Sequence, residues 1–332
     1  MPDKSWNTFL ELLRAGLWEQ NPSLDDVPVW EPVLELGREH AVMGLLLRGI
    51  SHLPEDQRPA GSLIPILQAW EMAFDRANAR YARVQEFLLK QLAGAGLHPM
   101  VQKGSEAAKY YAEPSVRQVG DIDLYLPEGE FARARAIYPE ARMASDGAAV
   151  FAIDGVTVEL HPRYYDIHRP ASRLPDIGSP CGEILLLSSH IFKHAMGPGI
   201  GCKQLCDLAV AMTRLEGRYD KQELAGALNT AGLLRWHTLL CSLLVADFGL
   251  EPSCCLPGFE AVDPARLRRI VRASGNFGMV DAGRRRSRQW APLGRKAATA
   301  VAFLRRLPFS LRYGSRETLA TIWGLATGNF RT

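Results

Sequence analysis

Apolar residues recur at helical spacing through the first third of the chain. Trp6, Phe9, Leu10, Leu12, Leu13 and Leu17 predict one amphipathic helix. A proline-rich break from Asn21 to Pro32 follows. A second helix is predicted beyond it, with Val33, Leu34, Leu36, Ala41, Val42, Leu45 and Leu46 as its core face. Pro54 and Pro59 mark a loop, and a long helix rich in Ala, Arg and Gln runs from about Leu63 to Ala95. His40 and His52 are read as surface or packing histidines.

The period then shortens towards two. His98 to Gln102 predicts a short strand, and Gly104-Ser105 opens a helix expected to run to Tyr111. Ile122, Leu124 and Leu126 alternate with polar neighbours in a second strand, and Pro127-Glu128 starts a helix through Ile137. Asp154-Gly155 sits between two β-rich runs, Ala149 to Ile153 and Val156 to Leu160, which is a strong hairpin signal. A loop over 166–180 follows. Helices are predicted at Ile184 to Ala195, Gln204 to Met212, 221–232, 233–248 and 263–274. The expected fold class is α+β, a small mixed sheet set between N-terminal and C-terminal helical regions. The expected division is 1–95, 96–165, 166–281 and 282–332.

Composition narrows the class without deciding it. A chain of 332 residues with 47% hydrophobic and 23% charged residues can bury a sizeable core. A net charge of +3 names no partner. No apolar run reaches the length of a membrane span, and the first residues carry no basic segment followed by an apolar core. Six cysteines near 181–206 and 241–255 form no compact disulfide framework, so free thiols in a cytoplasmic protein are expected. Cys254-Cys255 is read as incidental.

The chemistry concentrates in two stretches. In Gly120-Asp121-Ile122-Asp123-Leu124, read as a strand, period two turns Asp121 and Asp123 to one side, roughly 6–7 Å apart along the backbone. Like charges so placed call for a divalent cation, and carboxylates are the natural ligands of Mg²⁺ in phosphate chemistry. Upstream, Lys103-Gly104-Ser105 forms a turn into a helix, where glycine lets a phosphate approach the backbone and Ser105 adds a hydroxyl. Together they describe a triphosphate cradle beside a metal site.

Gly-Ser, a gap, then Asp-Ile-Asp in an apolar strand resembles the DNA-polymerase-beta-like nucleotidyltransferase superfamily. Lys103-Gly104, Tyr111, Arg117, Asp121-Ile122-Asp123 and Glu159-Leu160-His161 resemble an uncharacterised bacterial nucleotidyltransferase family within it, most strongly over 98–165. The resemblance implies a nucleotidyltransferase core, with Glu159 as third carboxylate on a neighbouring strand. It implies two Mg²⁺ ions held by Asp121, Asp123 and Glu159, with an NTP, ATP first, bound by Lys103, Gly104, Ser105 and Arg117. The product would be an NMP ester of an unidentified hydroxyl acceptor in polysaccharide or natural-product biosynthesis. The alternative is a non-catalytic nucleotide-binding or scaffold protein of a biosynthetic assembly. Glu159 departs from the Asp found in many superfamily members by one methylene.

Three features stand apart. His190 and His194 share a helix face, as do Cys202 and Cys206, which invites a zinc reading. The cysteine spacing is not that of a zinc knuckle and the surroundings are apolar, so packing or cleft-lining is preferred. His161 lies next to Pro162, which is expected to end the strand, and has no assigned role. From Ala282 on, Arg284, Arg285, Arg286, Arg288, Arg295, Lys296, Arg305, Arg306, Arg312, Arg316 and Arg331 face a single acid, Glu317, among apolar residues such as Trp290 and Trp323. Over 284–316 this pattern fits peripheral contact with an anionic inner-membrane surface or an acidic partner, or a helix folded back with a solvated basic face. No base-reading motif points to nucleic acid.

Overall fold

The computed structural model describes residues 3–144, 146–168, 174–280 and 292–327. The chain forms two compact units, 59–164 and 1–58 with 165–332.

The 59–164 unit holds a five-stranded mixed sheet. Its strands are β1 (Met100–Gln102), β2 (Ile122–Tyr125), β3 (Arg142–Met143), β4 (Ala149–Ile153) and β5 (Val156–His161), in the order β1-β2-β5-β4-β3. β2 and β5 are parallel, and every other neighbouring pair is antiparallel. Asp154 and Gly155 both have positive φ, +48° and +71°, as the tight turn from β4 to β5 demands. Arg142–Met143 adds an edge strand with no counterpart in the sequence pattern.

Alternation gives the sheet one apolar face. Ile122, Leu124, Val158 and Leu160 are fully buried there against Tyr81, Val84, Leu88 and Leu92. Those four lie at helical spacing in the second half of a long helix (Leu63–Gly94), which ends within one residue of its expected limit. A helix at Glu128–Ile137 contributes Ala134 to the same core. The opposite face is left to Asp123, Glu159 and His161.

The other unit is helical. It contains Asp3–Trp18, Trp30–Glu39, Met43–Ser51, Pro180–Met196, Cys202–Leu215, Lys221–Ala231, Leu234–Phe248, Ala265–Ser274 and Pro292–Thr327. Val33 to Leu46, expected as one helix, is two. The chain breaks at His40 to Val42, where Ala41 adopts φ +55°. The apolar period continues across the break because both pieces bury their faces in one core. The first helix crosses the Met43–Ser51 helix through paired glycines. A Cβ on Gly16 would lie 2.0 Å from the Leu45 carbonyl oxygen, and one on Gly49 would lie 1.9 Å from that of Leu12.

Of the basic segment, Arg284, Arg285, Arg286, Arg288, Trp290 and Arg331 lie outside the described residues, as do Arg169 and Pro170 of the 166–180 loop. Among the described residues no helix is long and apolar enough to cross a membrane.

Candidate active site

β2 and β5 run side by side in parallel with Asp123 paired to Glu159 and Tyr125 paired to His161. Residues two apart on a strand share a face, so Glu159 and His161 stand together beside Asp123. His161 Nε2 is 2.8 Å from Asp123 Oδ1 and 3.5 Å from Glu159 Oε2. One donor atom from each of these residues lies within 4.8 Å of the others, the spacing a single cation requires, and among the described residues no other such group occurs.

β5 therefore runs through His161 rather than stopping before it. The Leu126 amide donates to the His161 carbonyl at 3.0 Å, so the ladder holds to that point. Pro162 lacks an amide hydrogen and comes only after the last pair. Period two along Val156–His161 was the signal that could have placed the histidine.

Asp121 precedes β2 and is half-buried. Its charge is near enough to act on Glu159. Burial, then Asp123, then Asp121 push the Glu159 carboxyl up to about 7, with His161 and Lys103 partly opposing. Crowded carboxylates with too little countercharge behave in this way. The oxygen-rich donor set suits a hard divalent ion such as Mg²⁺ or Mn²⁺, and the imidazole also suits Zn²⁺.

Lys103, Gly104 and Ser105 meet the sheet at the end of β1. Lys103 is buried, with Nζ 3.3 Å from Asp123 Oδ1. Its backbone sits at φ +48°, ψ −135°, a conformation costly for any residue but glycine. Gly104 follows at φ +40°, and a Cβ there would lie 2.6 Å from the Tyr81 hydroxyl. Burial pushes the Tyr81 phenol up to about 12, with the Arg117 charge acting against it. Arg117 itself is buried after a short 3₁₀ turn at Pro114–Val116.

The helix opened by Gly104 is short, Gly104–Ala108, and does not reach Tyr111 as expected. Lys109 to Tyr111 continue in turns instead. The Ser105 hydroxyl donates to Gln85 Oε1 at 2.7 Å. Gln85 and Tyr81 are one helical turn apart on the long helix, so that helix braces the turn from behind. Neither was legible as a site residue, because both fit an ordinary helix face.

The residues weighed for zinc sit elsewhere, in the helical unit. His190 Nδ1 is 2.9 Å from Asp166 Oδ2, and the His190 and His194 rings are 4.3 Å apart. Cys202 and Cys206 are fully buried, with Cys202 Sγ 3.4 Å from His40 Nδ1. The two pairs form no common ligand set among the described residues.

Residues 27–178 match the family described as uncharacterised nucleotidyltransferase. No curated protein and no solved structure matches the chain.

Proposed function

We propose that the protein transfers a nucleotidyl group from an NTP, ATP first, to a hydroxyl-bearing acceptor with the help of Mg²⁺. The observation that carries this reading is the in-register pairing of Asp123 with Glu159 on parallel strands, beside the Lys103-Gly104-Ser105 turn. The family match of 27–178 supports it.

In this reading Asp121, Asp123 and Glu159 hold the cation. When bound, the cation neutralises charge on the triphosphate and on the leaving pyrophosphate. Gly104 lets the turn pack closely on Tyr81, and Ser105 and the buried Arg117 beside it bind or neutralise the phosphate oxygens. His161 fixes the orientation of the Asp123 carboxylate through Nε2. The acceptor oxygen attacks the α-phosphorus in line, its proton passing to water, and pyrophosphate leaves. The test is transfer of label from α-labelled NTP, with matching pyrophosphate release, to metabolite extracts. Asp123→Asn should abolish both, and label from γ-labelled NTP should stay out of the product.

A second reading concerns attachment. The Pro292–Thr327 segment, broken at Gly314, buries Phe303 and Phe309 ahead of the break and exposes Val301, Leu304 and Leu311 with Arg305 and Arg312 there, and Leu319 and Trp323 are exposed beyond it. Its single acid, Glu317, is buried and bonds the His168 amide and ring. Exposed apolar residues among only positive charge support contact with an anionic lipid surface. A non-catalytic scaffold held there would keep this contact in an Asp121→Asn/Asp123→Asn variant that no longer binds nucleotide.

A further inference from the structure

We infer that the Lys103 ammonium takes the place of a second metal ion, so that the carboxylate set of the nucleotide-free protein binds one divalent cation rather than two. This rests on the nucleotidyl-transfer reading of the same site.

Two-ion sites in phosphate chemistry set the ions about 3.5–4 Å apart and bridge them through a shared carboxylate. Here the carboxylate in the bridging position is Asp123, in register with Glu159 and two residues after Asp121. Its Oδ1 already receives two groups, His161 Nε2 at 2.8 Å and Lys103 Nζ at 3.3 Å. An ammonium carries three donors and no lone pair, so it cannot join a metal's ligand shell and repels any ion placed beside it.

The backbone argues that this placement is not incidental. Lys103 is 9% exposed and sits at φ +48°, ψ −135°. Such a conformation costs about 1–3 kcal/mol at a residue with a Cβ and persists where the surroundings enforce it. Burying an ammonium adds a desolvation cost that only close negative charge offsets. Glycine would remove both costs at this position. The chain instead keeps a lysine and aims it at the carboxylates.

Charge balance agrees. Asp121, Asp123 and Glu159 carry three negative charges when ionised. Two divalent ions beside the ammonium would supply five positive charges, more than these carboxylates balance. A surface ion pair merely parking Lys103 on Asp123 would be displaced as ions arrive, and two would bind.

The test is titration of the full chain with Mn²⁺ alone at pH 8, counting free ion by electron paramagnetic resonance. Wild type should bind one ion at the carboxylate set with an uncoupled spectrum. Lys103→Gly tolerates the backbone angles and should bind two, with the broadening of a coupled pair. Lys103→Met serves as a second variant with the same expected outcome, and circular dichroism checks that each is folded. Two ions in wild type, or one in folded Lys103→Gly, would overturn the inference while leaving a metal-dependent transferase intact. No Mn²⁺ bound by folded wild type would overturn the functional reading itself, and this inference with it.

Discussion

Asp123 and Glu159 pair in register on two parallel neighbours, one step from the start of their ladder, and His161 reaches both. Burial, with the charges of Asp123 and then Asp121, raises the Glu159 carboxyl to about 7. A carboxyl whose folded value lies above its unfolded value of about 4.5 binds more protons when folded. Without divalent ions, stability should therefore fall as pH rises from about 4.5 to 7, by up to about 3 kcal/mol from this group, and stay low above that. Melting curves in chelator across that range test it. Glu159→Gln should flatten the slope, and Mg²⁺ at pH 8 should raise the midpoint of wild type but not of the variant.

His161 is expected to matter for cation affinity more than for folding. Removing a partner that orients a ligating carboxylate, or a ligand itself, costs about 10–100-fold in metal affinity. His161→Ala should show that loss in Mn²⁺ titrations while its melting midpoint moves little.

The turn before the short helix predicts a coupled pair of substitutions. Gly104→Ala places a Cβ 2.6 Å from the Tyr81 hydroxyl at φ +40°. Strain and clash together should cost about 2 kcal/mol and weaken NTP binding. Tyr81→Phe removes the clashing oxygen, so the double variant should recover part of the stability in urea unfolding, a coupling that separates clash from backbone strain.

In the helical unit, Gly49→Ala would drive a Cβ to 1.9 Å from the Leu12 carbonyl oxygen. Backbone cannot yield there as a side-chain tip could, so a loss of about 2–4 kcal/mol is expected from the urea midpoint.

Trp323 is two-thirds exposed beyond the break at Gly314, where Leu319 is exposed too, and Leu311 is exposed ahead of it. Its fluorescence should shift blue with vesicles containing anionic lipid and remain unchanged with neutral vesicles. Leu304→Glu/Leu311→Glu should abolish the shift.

Much of this architecture was legible because local chemistry and tertiary need agree. Asp154-Gly155 announced its hairpin through the two positive φ angles such a turn needs. Ile122, Leu124 and Leu126 marked the buried face of the strand that carries Asp123. The helix from Leu63 was visible almost to its last residue, since Tyr81, Val84, Leu88 and Leu92 keep its period. The break at Ala41 was hidden by apolar residues on both sides of it. His161 was hidden by Pro162, although a proline after the last ladder bond costs the strand nothing. Lys103 was seen as a phosphate neutraliser. Its strained backbone and its aim at Asp123 belong to the fold and leave no trace in spacing.

The central claim is a metal–triphosphate site on Asp121, Asp123 and Glu159. Calorimetric binding of each NTP with and without Mg²⁺, to wild type and to Asp121→Asn/Asp123→Asn, tests it without knowledge of the acceptor. Mg²⁺-dependent binding of an NTP that disappears in the double variant is the predicted result. Failure of the folded wild type to bind any NTP would contradict the account.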